Sequence, residues 1–162
     1  ICGSDSAEKL AFAEKVLGKE IPVSDVFQEG EGLDVIAITR GKGWQGVVKR
    51  YGVSLNIRKA SKSRRHGGSI GGERQAKIMY TIPRSGQMGF QRRTDRNKRV
   101  IKISDDIKGF VPSSGFHNYG VLKTTCIAIH GSVPGPVKRL IILRKSLYPK
   151  TVKKPELKAV LK

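Results

Sequence analysis

Two short runs hold most of the chemistry this sequence can do. Arg58-Lys-Ala-Ser-Lys-Ser-Arg-Arg-His66 puts six basic side chains into nine positions: Arg58, Lys59, Lys62, Arg64, Arg65 and His66. Gln91-Arg-Arg-Thr-Asp-Arg-Asn-Lys-Arg99 is the second, with Arg92, Arg93, Arg96, Lys98 and Arg99. Guanidinium groups grip phosphate with two parallel donors, and ammonium groups act as point charges. Each phosphate neutralised on a nucleic acid releases condensed counterions, so a polyanion is the partner that such runs favour. A charge run is otherwise a solvated face or a disordered tail. Here both runs are internal and set among glycines, which favours RNA backbone. Lys42, Lys49, Arg50, Arg74, Lys77, Arg84 and Gln87 extend the same candidate surface, and Lys138 and Arg139 add to it from further along the chain.

Gly41-Lys-Gly-Trp-Gln-Gly46 fits the G-x-G-x-x-G spacing of a dinucleotide loop and follows an expected strand. That fingerprint needs a helix after it and an acid some 20 residues on. Val47–Gly52 reads as β-like, and the region 20 residues on is Ser61–Arg65, which is basic. The glycines fit close approach of the backbone to RNA phosphate better. Trp44 has two readings: a ring that stacks on a base, or a cover over the end of a barrel. His66, His117 and His130 have no metal-ligand spacing to one another or to Cys2 and Cys126, so no metal site is expected. No set of nucleophile, base and orienting group can be assembled, so neither an enzyme nor a cofactor is expected.

The 162 residues hold 32 Lys and Arg against 13 Asp and Glu, a net charge of +19. The excess is uneven. Residues 1–39 carry three lysines and eight acids, whereas residues 40–100 carry 17 basic residues and two acids, Glu73 and Asp95. A membrane surface is the rival partner, but no basic amphipathic helix with large apolar anchors is evident. There is no apolar run of about 18 residues and no visible signal peptide. The chain starts at Ile1 and reads as the later part of a longer one. Cys2 and Cys126 read as a terminal thiol and a strand thiol in a reducing compartment.

These groups need a scaffold, and the pattern predicts a small, mostly antiparallel β domain with one N-terminal helix. Ser4 or Ser6 can cap that helix. Leu10, Ala13, Val16 and Leu17 share a packing face, and Gly18 stops it. Val23–Phe27, Leu33–Thr39, Val100–Ile103, Val121–His130 and Val137–Leu143 read as strands. Pro134-Gly135 suits the centre of a type II turn, which predicts a hairpin between the last two. The block from Arg40 to Arg99 holds ten of the 19 glycines and few apolar runs. It cannot bury enough surface to order itself alone and is read as an arm that orders against a polyanion. Tyr148–Lys162 reads as an extended basic tail, with a short helix after Pro155.

Several motifs occur in one order: Val23-Ser-Asp-Val-Phe27, Leu33-Asp-Val-Ile-Ala-Ile-Thr-Arg-Gly-Lys-Gly43, Gly46-Val-Val-Lys-Arg50, Gly68-Ser-Ile-Gly71, Ser85-Gly-Gln-Met-Gly89, Arg93-Thr94, Asn97-Lys98 and Gly131-Ser-Val-Pro-Gly-Pro136. Together they resemble the universal large-subunit ribosomal protein L three family in its archaeal and eukaryotic form. Phe116-His-Asn-Tyr-Gly120 looks archaeal in type. The resemblance implies a translation-protein-type antiparallel β barrel on the surface of the large ribosomal subunit, incomplete here because family members are about twice this length. It implies residues 1–43 as N-terminal helix and barrel strands, 44–99 as a loop penetrating rRNA toward the peptidyl-transferase centre, 100–147 as the remaining strands and 148–162 as a tail. The implied partners are large-subunit rRNA and neighbouring ribosomal proteins, in the cytoplasm, with a role in subunit assembly. The position of the family's loop-tip tryptophan falls on Glu73. Gln87 matches a glutamine that is methylated in some bacterial relatives. The modified histidine of eukaryotic members lies near His66, but the local spacing differs and the role is not transferred. A free RNA chaperone or DNA-architectural protein is the main alternative reading, and an RNA-modifying enzyme, which would need a cofactor pocket, is the second.

Overall fold

The computed structural model describes residues 5–60, 62–72, 74, 76–104, 111–112 and 114–148. The elements in chain order are α1 (Ser6–Val16), α2 (Val23–Val26), β1 (Gly32–Ile38), β2 (Trp44–Gln45), α3 (Val47–Tyr51), β3 (Gly86–Gln87), β4 (Arg92–Ser104), β5 (Cys126–Ile129) and β6 (Ile141–Lys145). Four strands form one sheet in the order β5-β4-β1-β6, and β2 and β3 form a two-stranded sheet. The fold is mainly β, as expected. Among the described residues the strands do not close a barrel, because β5 and β6 are the edges of the larger sheet. The chain divides into two compact units. One comprises Ile1–Val35, Asp95–Val133 and Ile142–Lys162; the other comprises Ile36–Thr94 and Pro134–Ile141.

In the first unit the core is small: Leu33, Val35 and Val100 are fully buried, and Phe27 and Val111 nearly so. An inner strand packed on both faces reads as a continuous apolar run, and Leu33–Ala37 is buried throughout. Strand β4 pairs antiparallel with β5, Val100 opposite Ile129 and Ser104 opposite Cys126, with a register shift between Val100 and Lys102. Val100 also exchanges main-chain bonds of 2.9 Å with the residues before β1, donating to Glu31 and accepting from Gly30.

The one charged member of this core is Asp34, which is 1% exposed. Arg144 donates to its Oδ2 through Nε at 3.3 Å and Nη2 at 3.1 Å. The Asn97 N–H donates to Oδ1 at 3.1 Å. Asn97 adopts a left-handed φ of +54° inside β4, and its own Oδ1 accepts from Ser146 Oγ at 2.7 Å. Burial alone pushes the Asp34 carboxyl up. The Asn97 N–H, Arg144 and Ser146 outweigh burial and hold it below the ordinary carboxylate range.

Several local expectations are corrected. Asp5, not a serine, caps α1 by accepting from the Ala7 N–H, and Ser6 is the first helical residue. A carboxylate there also meets the positive end of the helix dipole. Ser4 lies outside the described residues. Gly18, at φ +75°, ends the helix as expected, but no residue of α1 is buried. Val23–Phe27 is not a strand: Pro22 starts one helical turn, and the Phe27 N–H closes it on Val23 O at 3.0 Å. Val47–Tyr51 is also helical rather than β-like, because Gly46 precedes it in extended backbone and Gly52 ends it at φ +70°. The strand expected over Val100–Ile103 begins at Arg92. The last two apolar runs yield only Cys126–Ile129 and Ile141–Lys145. Those strands sit at opposite edges of the sheet, so Pro134-Gly135 does not join a hairpin. Gly135 does take a positive φ, +105°, and a Cβ there would meet Ile38 O at 3.0 Å. The chain bends at Pro134–Pro136 and passes close to β1 there, and the hydrogen-bonded turn follows, the Arg139 N–H donating to Pro136 O at 3.1 Å. The tail beyond Tyr148, Glu73 and Cys2 lie outside the described residues.

Candidate nucleic-acid interface

The second unit builds a cleft from three stretches of chain. Strand β2 pairs antiparallel with β3, Trp44 opposite Gln87 and Gln45 opposite Gly86. The ladder continues past both strands: Lys42 N–H donates to Met88 O, and Met88 N–H to Gly43 O, each at 2.9 Å. Beyond it the Thr39 N–H donates to Gln91 O at 2.9 Å, and the Gln91 N–H donates to Thr39 Oγ1 at 3.2 Å. Gly89 makes the close approach possible: it sits at φ +70°, and a Cβ there would fall 2.0 Å from Arg40 O. Only glycine tolerates both demands.

The cleft has a volume of about 670 Å³ and is lined by Arg40, Lys42, Arg50 and Arg93, with no carboxylate among its lining residues. Its electrostatics are therefore one-signed. Arg50 is fixed by a 2.8 Å bond from Nη1 to Arg84 O, and its guanidinium carbon lies 5.0 Å from the Tyr51 ring centre. Such a contact holds the cation over the ring's negative face. Gln87 Nε2 donates to Met88 O and Gly89 O at 3.3 and 3.2 Å, which aligns its carboxamide along the cleft floor.

From this cleft the chain runs out as an arm over residues 52–85. No described residue of that stretch is buried. Most of its large apolar side chains are uncovered, Ile57 being 75% and Tyr80 96% exposed. One part has local order. Asn56 donates its main-chain N–H to Arg64 O at 2.9 Å and its Nδ2 to Ser63 O at 2.8 Å. These two bonds pinch the chain into a loop that carries Arg58, Lys59, Lys62 and Arg64, all exposed.

Of the candidate residues, Lys42, Arg50, Gln87 and Arg93 converge on the cleft. Trp44 stays outside its lining and is 74% exposed, so it does not serve as a core residue. Arg65, His66, Arg74, Lys77 and Arg84 lie exposed along the arm, and Lys49, Arg92, Arg96 and Lys138 are exposed elsewhere. Lys98 is committed to Asp95, 3.5 Å away. Arg99 and Arg139 are half-buried. The sequence gives no local sign that singles out Arg40, which joins the cleft lining, or Gln91 and Asn56, whose partners lie seven to 52 positions away. Among the described residues no group of three His, Cys, Asp or Glu side chains is placed to hold a metal ion. No helix among them is long and apolar enough to cross a membrane.

The family model described as ribosomal protein L3 matches residues 1–162. A relative from Methanopyrus kandleri, named large ribosomal subunit protein uL3, is 48% identical over 151 residues, 92% of this chain and 42% of that protein. Proteins of the same name from Methanococcus maripaludis strain C7 and Methanocaldococcus jannaschii are 46% and 44% identical, over 91% and 97% of this chain and 45% and 48% of their own lengths. The chain spans a little under half the length of these relatives.

Proposed function

This chain belongs to the ribosomal protein L3 family, and from that premise we propose that it is a structural, RNA-binding constituent of the large ribosomal subunit. The β elements anchor it. The arm threads between rRNA helices and neutralises phosphates where duplexes approach one another. Exposed arginines bridge phosphates, glycines let the backbone come close, and Trp44 and Tyr51 are the candidate stacking rings. The residues named as candidates above, from Lys42 to Arg139, are the proposed contacts, with Lys98 reaching RNA only by leaving Asp95. Neighbouring ribosomal proteins are the other partners. Peptide-bond chemistry stays with the RNA, and the chain acts on it by holding RNA shape. The four-stranded sheet forms part of an antiparallel barrel, to which further strands add at β5 and β6.

One observation carries this reading. The arm combines dense positive charge with no buried described residue, so its shape is completed by a polyanionic surface rather than by an interior of its own. The test is limited proteolysis of the full chain with and without large-subunit rRNA. Residues 52–85 are expected to be cut freely alone and protected with rRNA. Protection without RNA refutes coupled ordering. Equal protection by unrelated RNA favours the chaperone reading instead.

A further inference from the structure

We propose that the cleft of the second unit takes one unpaired nucleotide of an RNA strand, its phosphate held by Arg40, Lys42 and Arg93 and its base stacked on Tyr51. This rests on the reading that the chain binds RNA and goes further, naming the form of RNA that this site accepts.

The shape argues first. A duplex offers phosphates on convex ridges and hides its base faces in the stack. A one-signed hollow of about 670 Å³ suits a small ligand, since such sites span about 300–1,000 Å³. The ring argues next. Tyr51 lines the cleft and remains 53% exposed, although a residue of this size gains by covering its face. Arg50 lies against it at 5.0 Å and is itself tied to Arg84 O. The stack is therefore half built, a fixed cation and a ring ready for a base. Unpaired bases are the RNA groups that stack on aromatic side chains, and this holds for any base because each has a π face.

The polar groups complete the match. Gln87 has its Nε2 engaged by Met88 O and Gly89 O, which leaves Oε1 to accept from a base edge. Gln91 brings a second carboxamide to the lining, able to donate and accept. The geometry is held by the ladder between Lys42 and Met88 and by Gly89, so the site is formed before its ligand arrives.

The experiment titrates the full chain with a short RNA oligonucleotide carrying one 2-aminopurine, single-stranded or annealed to its complement, followed by fluorescence at fixed salt. The single strand is expected to bind about ten-fold tighter than the duplex, the scale of one base–aromatic stack. Tyr51→Ala and Tyr51→Leu both remove that preference, the second keeping apolar bulk, while Tyr51→Phe retains it. Circular dichroism checks that each variant folds. Equal, salt-sensitive binding of both RNA forms overturns this proposal alone, as does a preference that survives in Tyr51→Leu. Absence of salt-sensitive binding to either form overturns it together with the RNA-binding reading.

Discussion

Replacing Arg144 by Met strips two hydrogen bonds, of 3.1 and 3.3 Å, from a carboxylate that is 1% exposed. It keeps most of the side chain's apolar stem, so the loss is chiefly electrostatic. On its other oxygen Asp34 retains the Asn97 N–H at 3.1 Å. Removing one partner of a buried pair costs about 3–5 kcal/mol. Arg144 is itself 41% exposed, so water already shares its charge, and about 2–3 kcal/mol is expected. That is a large part of the stability of a small domain. The sign with pH follows from the direction of the shift. In the native protein the Asp34 carboxyl is lowered. Its contribution is present above the unfolded value of about 3.9 and is lost as pH falls through the folded one. In the variant, burial is no longer offset by Arg144, so the folded value moves up and the penalty is largest near neutrality. It shrinks as pH falls through the variant's raised folded value, where the variant's Asp34 takes a proton while the native one, held low, stays ionised. Urea unfolding followed by far-ultraviolet circular dichroism at pH 7 and pH 3.5 measures both numbers. A variant within about 0.5 kcal/mol of the native chain at pH 7, or one with the same penalty at both pH values, refutes the reasoning.

Two further outcomes follow from single residues. Gly89→Ala forces a Cβ to within 2.0 Å of Arg40 O at φ +70°, so it costs at least about 1–3 kcal/mol in backbone strain. It also opens the ladder, which faster amide exchange at Lys42 and Met88 reports; unchanged exchange there rules the account out. Asn56→Ala leaves every cation in place but removes the Nδ2 bond to Ser63 O. RNA affinity should drop about three- to ten-fold, one modest hydrogen bond's worth of loop order, while the slope of log affinity against log salt stays the same. A reduced slope means that phosphate contacts themselves were lost, against the ordering role.

The sequence displays local order and hides pairings made at a distance. Leu33–Ala37 is legible as an inner strand because five consecutive buried positions leave an unbroken run. The carboxylate in that run is not legible as half of an ion pair, since Arg144 lies 110 positions away. Val47 and Val48 suggest a strand by their branching, yet Gly46 and Gly52 bracket a single helical turn. Pro134-Gly135 marks a change of direction, seen as a bend, but not which strands lie on either side of it. Charge density marks the arm because residues 40–100 carry 17 basic groups against two acids. The cleft stays hidden because Arg40, Arg50 and Arg93 meet there only through the β2–β3 ladder and its extensions.

The flank formed by β5 bears on how the chain behaves at high concentration. Cys126-Ile-Ala-Ile129 carries no charge and no proline, and its outer main-chain groups find no further strand among the described residues. Such a segment templates the addition of a like segment from another molecule. The opposite flank carries Arg144 and Lys145 and is better guarded. Purified alone, the chain should therefore self-associate through β5, and a single lysine placed at Ala128 should raise its solubility more than the same change on β6.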